Sequence, residues 1–140
     1  IQGGIFMITQ YWKAKVLNSL FRSGDTAYVG LSITTPTEDG NMVTEPTDSS
    51  YIRTEIKLDE TFFKEPINGV TENIAPITFV EATGDWATGA TKITNWTLYD
   101  SLVGGELLAY GLLTPSKAIE SSDVFSIPSG KMIVRVKNES

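Results

Sequence analysis

Two tryptophans beside turn residues are the strongest candidates for ligand contact in this chain. Trp86 follows Asp85 in a Thr-Gly-Asp-Trp turn, and Trp96 lies ten residues further on. Carbohydrate sites stack pyranose rings on exposed aromatic faces and flank them with Asp or Asn. The sequence therefore allows a glycan contact at Asp85, Trp86 and Trp96. The interpretation that we favour is that both indoles fill the core, because large aromatic side chains contribute most buried area there.

Acidic side chains suggest two further kinds of chemistry. Glu38, Asp39, Glu45 and Asp48 share one long polar segment and offer the oxygen ligands that Ca²⁺ takes. Their spacing lacks the Asp-x-Asp-x-Asp-Gly order of a hand-type calcium loop, so we expect a solvated loop. A carboxylate pair is also the machinery of glycoside hydrolysis, but 17 acidic residues give such pairs by chance. We expect no metal, no cofactor and no enzymatic activity.

Missing residue types and net charge exclude other functions. The chain has no cysteine and no histidine, which removes disulfides, thiolate nucleophiles, Ser-His-Asp triads and most zinc sites. The net charge of −6 would repel a phosphate backbone, so we expect no nucleic-acid partner. No apolar run approaches the roughly 18 residues that a bilayer-spanning helix needs, so we expect no membrane insertion.

One helix is predicted, over residues 8–21, behind a Thr9 N-cap and ahead of a Gly24 stop. Four apolar residues recur on one face of this helix at every fourth position. They form a possible interface, the helix stripe: Ile8, Trp12, Val16 and Leu20. The helix stripe has two interpretations, which the sequence leaves open. It either closes one end of its own domain or packs against other copies of the chain or a larger assembly.

The remainder of the chain alternates short apolar runs with Gly, Asp, Pro and Ser turns at roughly ten-residue spacing, which is typical of an all-β sandwich or barrel. We predict an antiparallel β-sandwich, jelly-roll-like or immunoglobulin-like, with seven or eight strands behind the single N-terminal helix. The predicted strands are residues 28–33, 51–58, 77–80, 92–99, 107–113, 117–120 and 132–136.

Three of these strands carry specific expectations. In residues 51–58, Arg53 is predicted to face solvent and Ile52 to face the core, because the two faces alternate polar and apolar. Residues 107–113 are apolar on both faces, so we predict a central strand. Residues 117–120 are a possible edge strand. Gly104-Gly105 predicts the hairpin turn between the strands at 92–99 and 107–113.

The domain organisation is predicted to be simple. Met7 is a plausible natural start, so residues 1–6 are interpreted as a leader or upstream extension. Residues 7–24 carry the helix, and residues 25–140 form the β-sandwich. A chain of 140 residues fits one domain overall.

Ordered turn-and-strand motifs run through about residues 8–136. They are Tyr28-Val-Gly-Leu-Ser32, Thr35-Pro-Thr-Glu-Asp-Gly40, Glu45-Pro46, Tyr51-Ile-Arg53, Ile77-Thr-Phe79, Ala82-Thr-Gly-Asp-Trp86, Leu98-Tyr-Asp100, Gly104-Gly-Glu-Leu-Leu-Ala-Tyr-Gly111 and Ile127-Pro-Ser-Gly130. Their order and spacing resemble a family of small bacteriophage virion proteins usually labelled tail-fibre proteins. One departure is Asn95-Trp96-Thr97, where members often carry a His-Phe-Gly-like step.

The resemblance implies a non-enzymatic structural protein of the virion, associated with the tail fibre and acting in particle assembly and host adhesion. It implies a homo-oligomer, with a trimer favoured, in contact with other virion proteins and with a host surface glycan as a further possible partner. It transfers no catalytic or binding residue. The alternatives are a capsid decoration or head-fibre protein and a carbohydrate-binding module.

Overall fold

The computed structural model describes residues 7–136, which form one helix and eight strands. Residues 1–6, interpreted above as a leader, and residues 137–140 lie outside the described residues. The elements are α1 (Gln10–Phe21), β1 (Thr26–Ser32), β2 (Thr54–Lys57), β3 (Val70–Glu72), β4 (Ile77–Thr78), β5 (Ile93–Tyr99), β6 (Leu107–Lys117), β7 (Ser126–Ile127) and β8 (Ile133–Arg135).

The helix begins and ends at the predicted signals. The Thr9 hydroxyl accepts a hydrogen bond from the amide of Trp12 at 3.3 Å, which satisfies one of the orphan donors of the first turn. The helical hydrogen bonds end with the amide of Arg22 on the carbonyl of Asn18. Gly24 follows with φ of +91°, a conformation that glycine adopts without a steric cost.

A four-stranded antiparallel sheet in the order β2-β1-β5-β6 forms the framework. Val29 lies opposite Leu98, and Leu31 lies opposite Trp96, so alternate residues of both strands reach the same buried core. Two ribbons, β3-β8 and β4-β7, complete the β structure of the described residues. The all-β class with one N-terminal helix is confirmed, and the sandwich arrangement stays a prediction.

The predicted position of residues 107–113 is wrong. These residues belong to β6, which pairs with β5 alone and therefore lies at the edge of the sheet. The apolar side chains of β6 are half-buried or exposed, so an apolar pattern on both faces did not mark a strand that is covered on both faces or paired on both edges. Residues 117–120 are not a separate strand, since Lys117 ends β6 and Ile119 only bridges to Ala87.

The strand predicted over residues 51–58 is shorter than expected, and the two residues before it, Ile52 and Arg53, differ from the prediction in burial. Only Thr54–Lys57 pairs with β1. Ile52 is exposed and Arg53 is buried, the reverse of the prediction, because Glu45 and two carbonyls of the β5–β6 connection supply Arg53 with polar partners. The strands β3 and β7 were missed, since each contains a single apolar residue and therefore displays no alternating pattern.

Candidate functional site

The helix turns one face into the core and the helix stripe outward. Lys13, Leu17 and Phe21 are its buried residues, and the Phe21 ring meets Phe63 edge-on at 5.1 Å between centroids. In the helix stripe, Trp12 and Leu20 are 53% and 56% exposed, while Ile8 and Val16 are half-buried. The helix therefore packs on its own domain mainly through these three buried residues, which lie beside the helix stripe and are not part of it. The interface role of the helix stripe stays a prediction.

Both candidate glycan-binding tryptophans are buried. Trp86 is 5% exposed and Trp96 is 3% exposed. Trp86 meets Tyr51 edge-on at 5.2 Å. Trp96 covers Gly111 so closely that a Cβ added there would lie 2.4 Å from the indole ring. These contacts enclose both rings within the protein, so this geometry gives no support to an aromatic platform, and the glycan contact stays a prediction.

The turn that carries Asp85 and Trp86 contacts the long loop before β2, residues 33–53. The Trp86 Nε1 donates a hydrogen bond to the Ser50 hydroxyl at 2.9 Å, and the Thr83 amide donates to the same hydroxyl at 3.1 Å. Asp85 is exposed and accepts a hydrogen bond from the Ser121 amide at 3.0 Å. Trp86 therefore bonds this turn to the loop before β2, and Asp85 bonds it to the segment after β6.

The acidic loop is built from local turns. The Ser50 hydroxyl and amide both donate to Asp48, and these bonds hold the pKa of the Asp48 carboxyl below its usual value. The Thr37 hydroxyl does the same for the pKa of Asp39. Within residues 7–136 no three acidic side chains come together as a cation site. In the same part of the chain, no helix has the length and hydropathy required to cross a membrane.

Arg53 is the most densely bonded charged residue of this region. Its guanidinium pairs with Glu45 at 2.7 Å, donates to the carbonyls of Ser101 and Gly104 at 2.7 and 2.8 Å, and lies 3.7 Å from the centre of the Tyr99 ring. The planar, permanently charged guanidinium suits several such contacts at once. Arg53 therefore ties the long loop to the hairpin between β5 and β6.

Two cavities lie along β6, and Ile133 lines both of them. The first, of about 340 Å³, lies among residues 107–110, residues 133–135 and the 37–40 loop. The second, of about 450 Å³, lies among residues 112–117 and the segment around Phe125–Pro128. Leu108, Leu112 and Ile133 are exposed beside them. Sequence reasoning missed this surface, although the signal was available: residues 107–116 contain no charge.

Comparison with known proteins supplies the identity of this β framework. The search of curated proteins finds no match. The scan of protein families finds one described as podophage GP4 fiber I protein gp80, whose model matches residues 7–135. That range spans nearly the whole chain and confirms the resemblance to phage tail-fibre proteins. The chain belongs to the podophage GP4 fiber I protein gp80 family.

Proposed function

We propose that this chain is a non-enzymatic structural protein of the phage virion, acting in assembly of the tail fibre and in adhesion to the host. The observation that carries the proposal is the fibre-family match over residues 7–135. A sequence without histidine or cysteine lacks the commonest general base and the commonest thiol nucleophile, which agrees with a structural role.

The proposed mechanism is repeated contact between rigid copies. The core is continuous from α1 through the four-stranded sheet, so a copy transmits force as one body. Trp12 and Leu20 present apolar surface on the outer side of α1, and aromatic residues are enriched at protein interfaces. The helix stripe is therefore the first proposed contact between copies, in the trimer that the resemblance favours. Several weak host contacts then act together by avidity.

Loops at the ends of the strands are the proposed adhesion surface, with other virion proteins or a host surface glycan as partners. The long loop before β2 is suited to this because several contacts fix its shape: Arg53 to Glu45 at 2.7 Å, and Trp86 to Ser50 at 2.9 Å. A loop held in one conformation loses little entropy when it binds.

The location and activity of the protein test this proposal directly. Mass spectrometry of purified particles is expected to find the chain, and gold-labelled antibody is expected to mark the tail fibre. The isolated protein is expected to slow adsorption of the phage to its host. Labelling of the head would support the capsid alternative. Absence from the particle, or steady release of reducing sugar from host polysaccharide, would contradict the proposal.

The helix contact has a matched pair of variants. Trp12→Ala removes an aromatic side chain from the helix stripe, whereas Tyr11→Ala removes a similarly exposed ring that points about 100° away around the helix. We expect Trp12→Ala to lower the solution mass measured by light scattering and Tyr11→Ala to leave it unchanged. Equal masses for both variants and the parent protein would remove the helix stripe from the assembly.

A further inference from the structure

The outer edge of β6 is long and apolar, and no strand among the described residues pairs with it. The strand has 11 residues and pairs only with β5 among the described residues. Residues 107–116 contain no charged side chain. Such an edge is a template for another strand, and proteins normally shorten it, charge it or cover it. At about 3.3 Å per residue, β6 offers roughly 36 Å of edge.

The surface beside this edge is apolar as well. Leu108 and Leu112 on β6 and Ile133 on β8 are exposed, and Leu112 is the most exposed of them at 67%. They border the two cavities that follow the strand. Pro115 lacks an amide hydrogen, and a proline inside a strand is expected at an edge. The part of β6 suited to pairing is therefore Leu107–Thr114.

The balance of charge differs between the two ends of β6. The two cavities beside Leu108 are lined by three acidic residues and one basic residue: Asp25, Glu38, Asp100 and Arg135. At the other end, the lining residues with charge are Lys117 and Lys131. Antiparallel alignment of two copies brings the acidic end of each strand to the basic end of the other. Parallel alignment brings like charges together, which is unfavourable.

We propose that β6 pairs antiparallel with β6 of a second copy of this chain, across a two-fold axis. The contact is self-complementary, as a two-fold interface must be, and it joins two four-stranded sheets into one continuous sheet. It also gives β6 a hydrogen-bonded neighbour on both edges.

The inference goes beyond the proposed function, because it names a second contact that does not depend on the helix stripe. A two-fold contact requires an even number of chains. It produces a dimer by itself, and it joins two trimers where the helix stripe also holds copies in threes. The location of the protein on the particle does not affect this result, so the two proposals fail separately.

Charge substitution on the exposed surface of β6 tests the inference. Leu112 lies near the middle of the paired segment, so Leu112→Lys places two cations close to the two-fold axis. We expect the parent protein to contain an even number of chains and Leu112→Lys to halve its mass in light scattering. Ile67→Lys, at a similarly exposed residue outside these cavities, is expected to keep the parent mass.

A parent protein with an odd number of chains would overturn the inference, as would a Leu112→Lys variant with the parent mass. Far-UV circular dichroism checks that the variant is folded. Single-cysteine variants provide a second test, because the chain contains no cysteine. Cysteine is introduced in turn at residues 108, 109, 110, 112 and 113, because only the residue on the two-fold axis faces its own copy. We expect one of these variants, or a mixture of the 110 and 112 variants where the axis passes residue 111, to form a disulfide dimer under mild oxidation. Failure of all of them, with Ile67→Cys also unlinked, would contradict the pairing.

Discussion

The two edges of the four-stranded sheet are built in opposite ways. The β2 edge has four residues, of which Glu55 and Lys57 are charged and exposed. The β6 edge has eleven residues and no charge before Lys117. Short length and charge are the usual protection against unwanted strand pairing. The difference shows that one edge of this sheet carries these protections and the other does not, and it is the reason for proposing association at β6.

Side chains also complete the closed edge. The pairing of β2 with β1 stops at Thr54, the first residue of β2, which lies opposite Val29. Beyond that pair, the Leu31 amide of β1 donates to the Tyr51 hydroxyl at 3.0 Å. A buried amide without a partner would cost free energy comparable to a lost hydrogen bond. Tyr51 therefore takes the place of a strand residue, and Arg53, two residues later, fixes the approach to β2.

The largest expected effect is at Arg53. Arg53→Ala leaves Glu45 without its ion pair and removes donors from the carbonyls of Ser101 and Gly104. Arg53 is buried but the Glu45 side chain is 25% exposed, so we expect a loss of about 3 kcal/mol in the free energy of unfolding from urea denaturation, at the lower end of the cost of breaking a buried ion pair. Lys57→Ala, which removes an exposed cation beside Thr26, is the control. A loss below about 1 kcal/mol, as for a surface pair, would contradict the closed-edge account.

A smaller effect is expected at Gly111 on the open edge. A Cβ at this residue would lie 2.4 Å from the Trp96 ring, and overpacking of this kind costs about 1–3 kcal/mol. We expect Gly111→Ala to lower the free energy of unfolding and to change the near-UV circular dichroism of Trp96. Ser116→Ala, on β6 but outside the segment proposed to pair, is the control. Unchanged stability of Gly111→Ala would show that Trp96 does not hold the strand as described.

Opening the closed edge should change association more than stability. Replacing Glu55 and Lys57 together by Val removes the charged protection and raises β-propensity. We expect this variant to keep its urea midpoint but to gain mass with concentration in light scattering. The control is Lys64→Val with Glu65→Val, which removes the same charges from exposed residues outside the strands. Equal behaviour of the two double variants would mean that charge on β2 does not protect the edge.

The smallest effect concerns alkaline pH. Burial, reinforced by the Glu45 carboxylate, raises the pKa of Tyr51 above its ordinary value of 10.0. The neutral phenol is therefore favoured in the folded state, so its contribution is fully present below about pH 10 and is lost as pH rises further. We expect the drop in urea midpoint from about pH 8 to about pH 11 to be smaller in Tyr51→Phe. Burial also raises the pKa of Tyr99, so part of the drop remains. An unchanged drop would contradict the role of Tyr51.

Local signals in the sequence predicted local structure well. The Thr9 cap was correct, and the hairpin predicted at Gly104-Gly105 is present with a longer connection, residues 100–106, in which both glycines have positive φ. Each signal depends on one or two residues and their own backbone. The edge position of β6 and the burial of Arg53 were not predictable in the same way. Both depend on which distant segments meet: Arg53 is bonded to Ser101 and Gly104, about fifty residues away. The two cavities along β6 likewise depend on a distant residue, because Ile133 lines both of them.

Amide hydrogen exchange measured over a range of protein concentrations tests the difference between the two edges most directly. If β6 joins a second copy, protection of residues 107–114 rises with concentration, while protection of the β2 amides stays constant. Equal behaviour of the two edges, or protection of β6 that does not depend on concentration, would contradict the account.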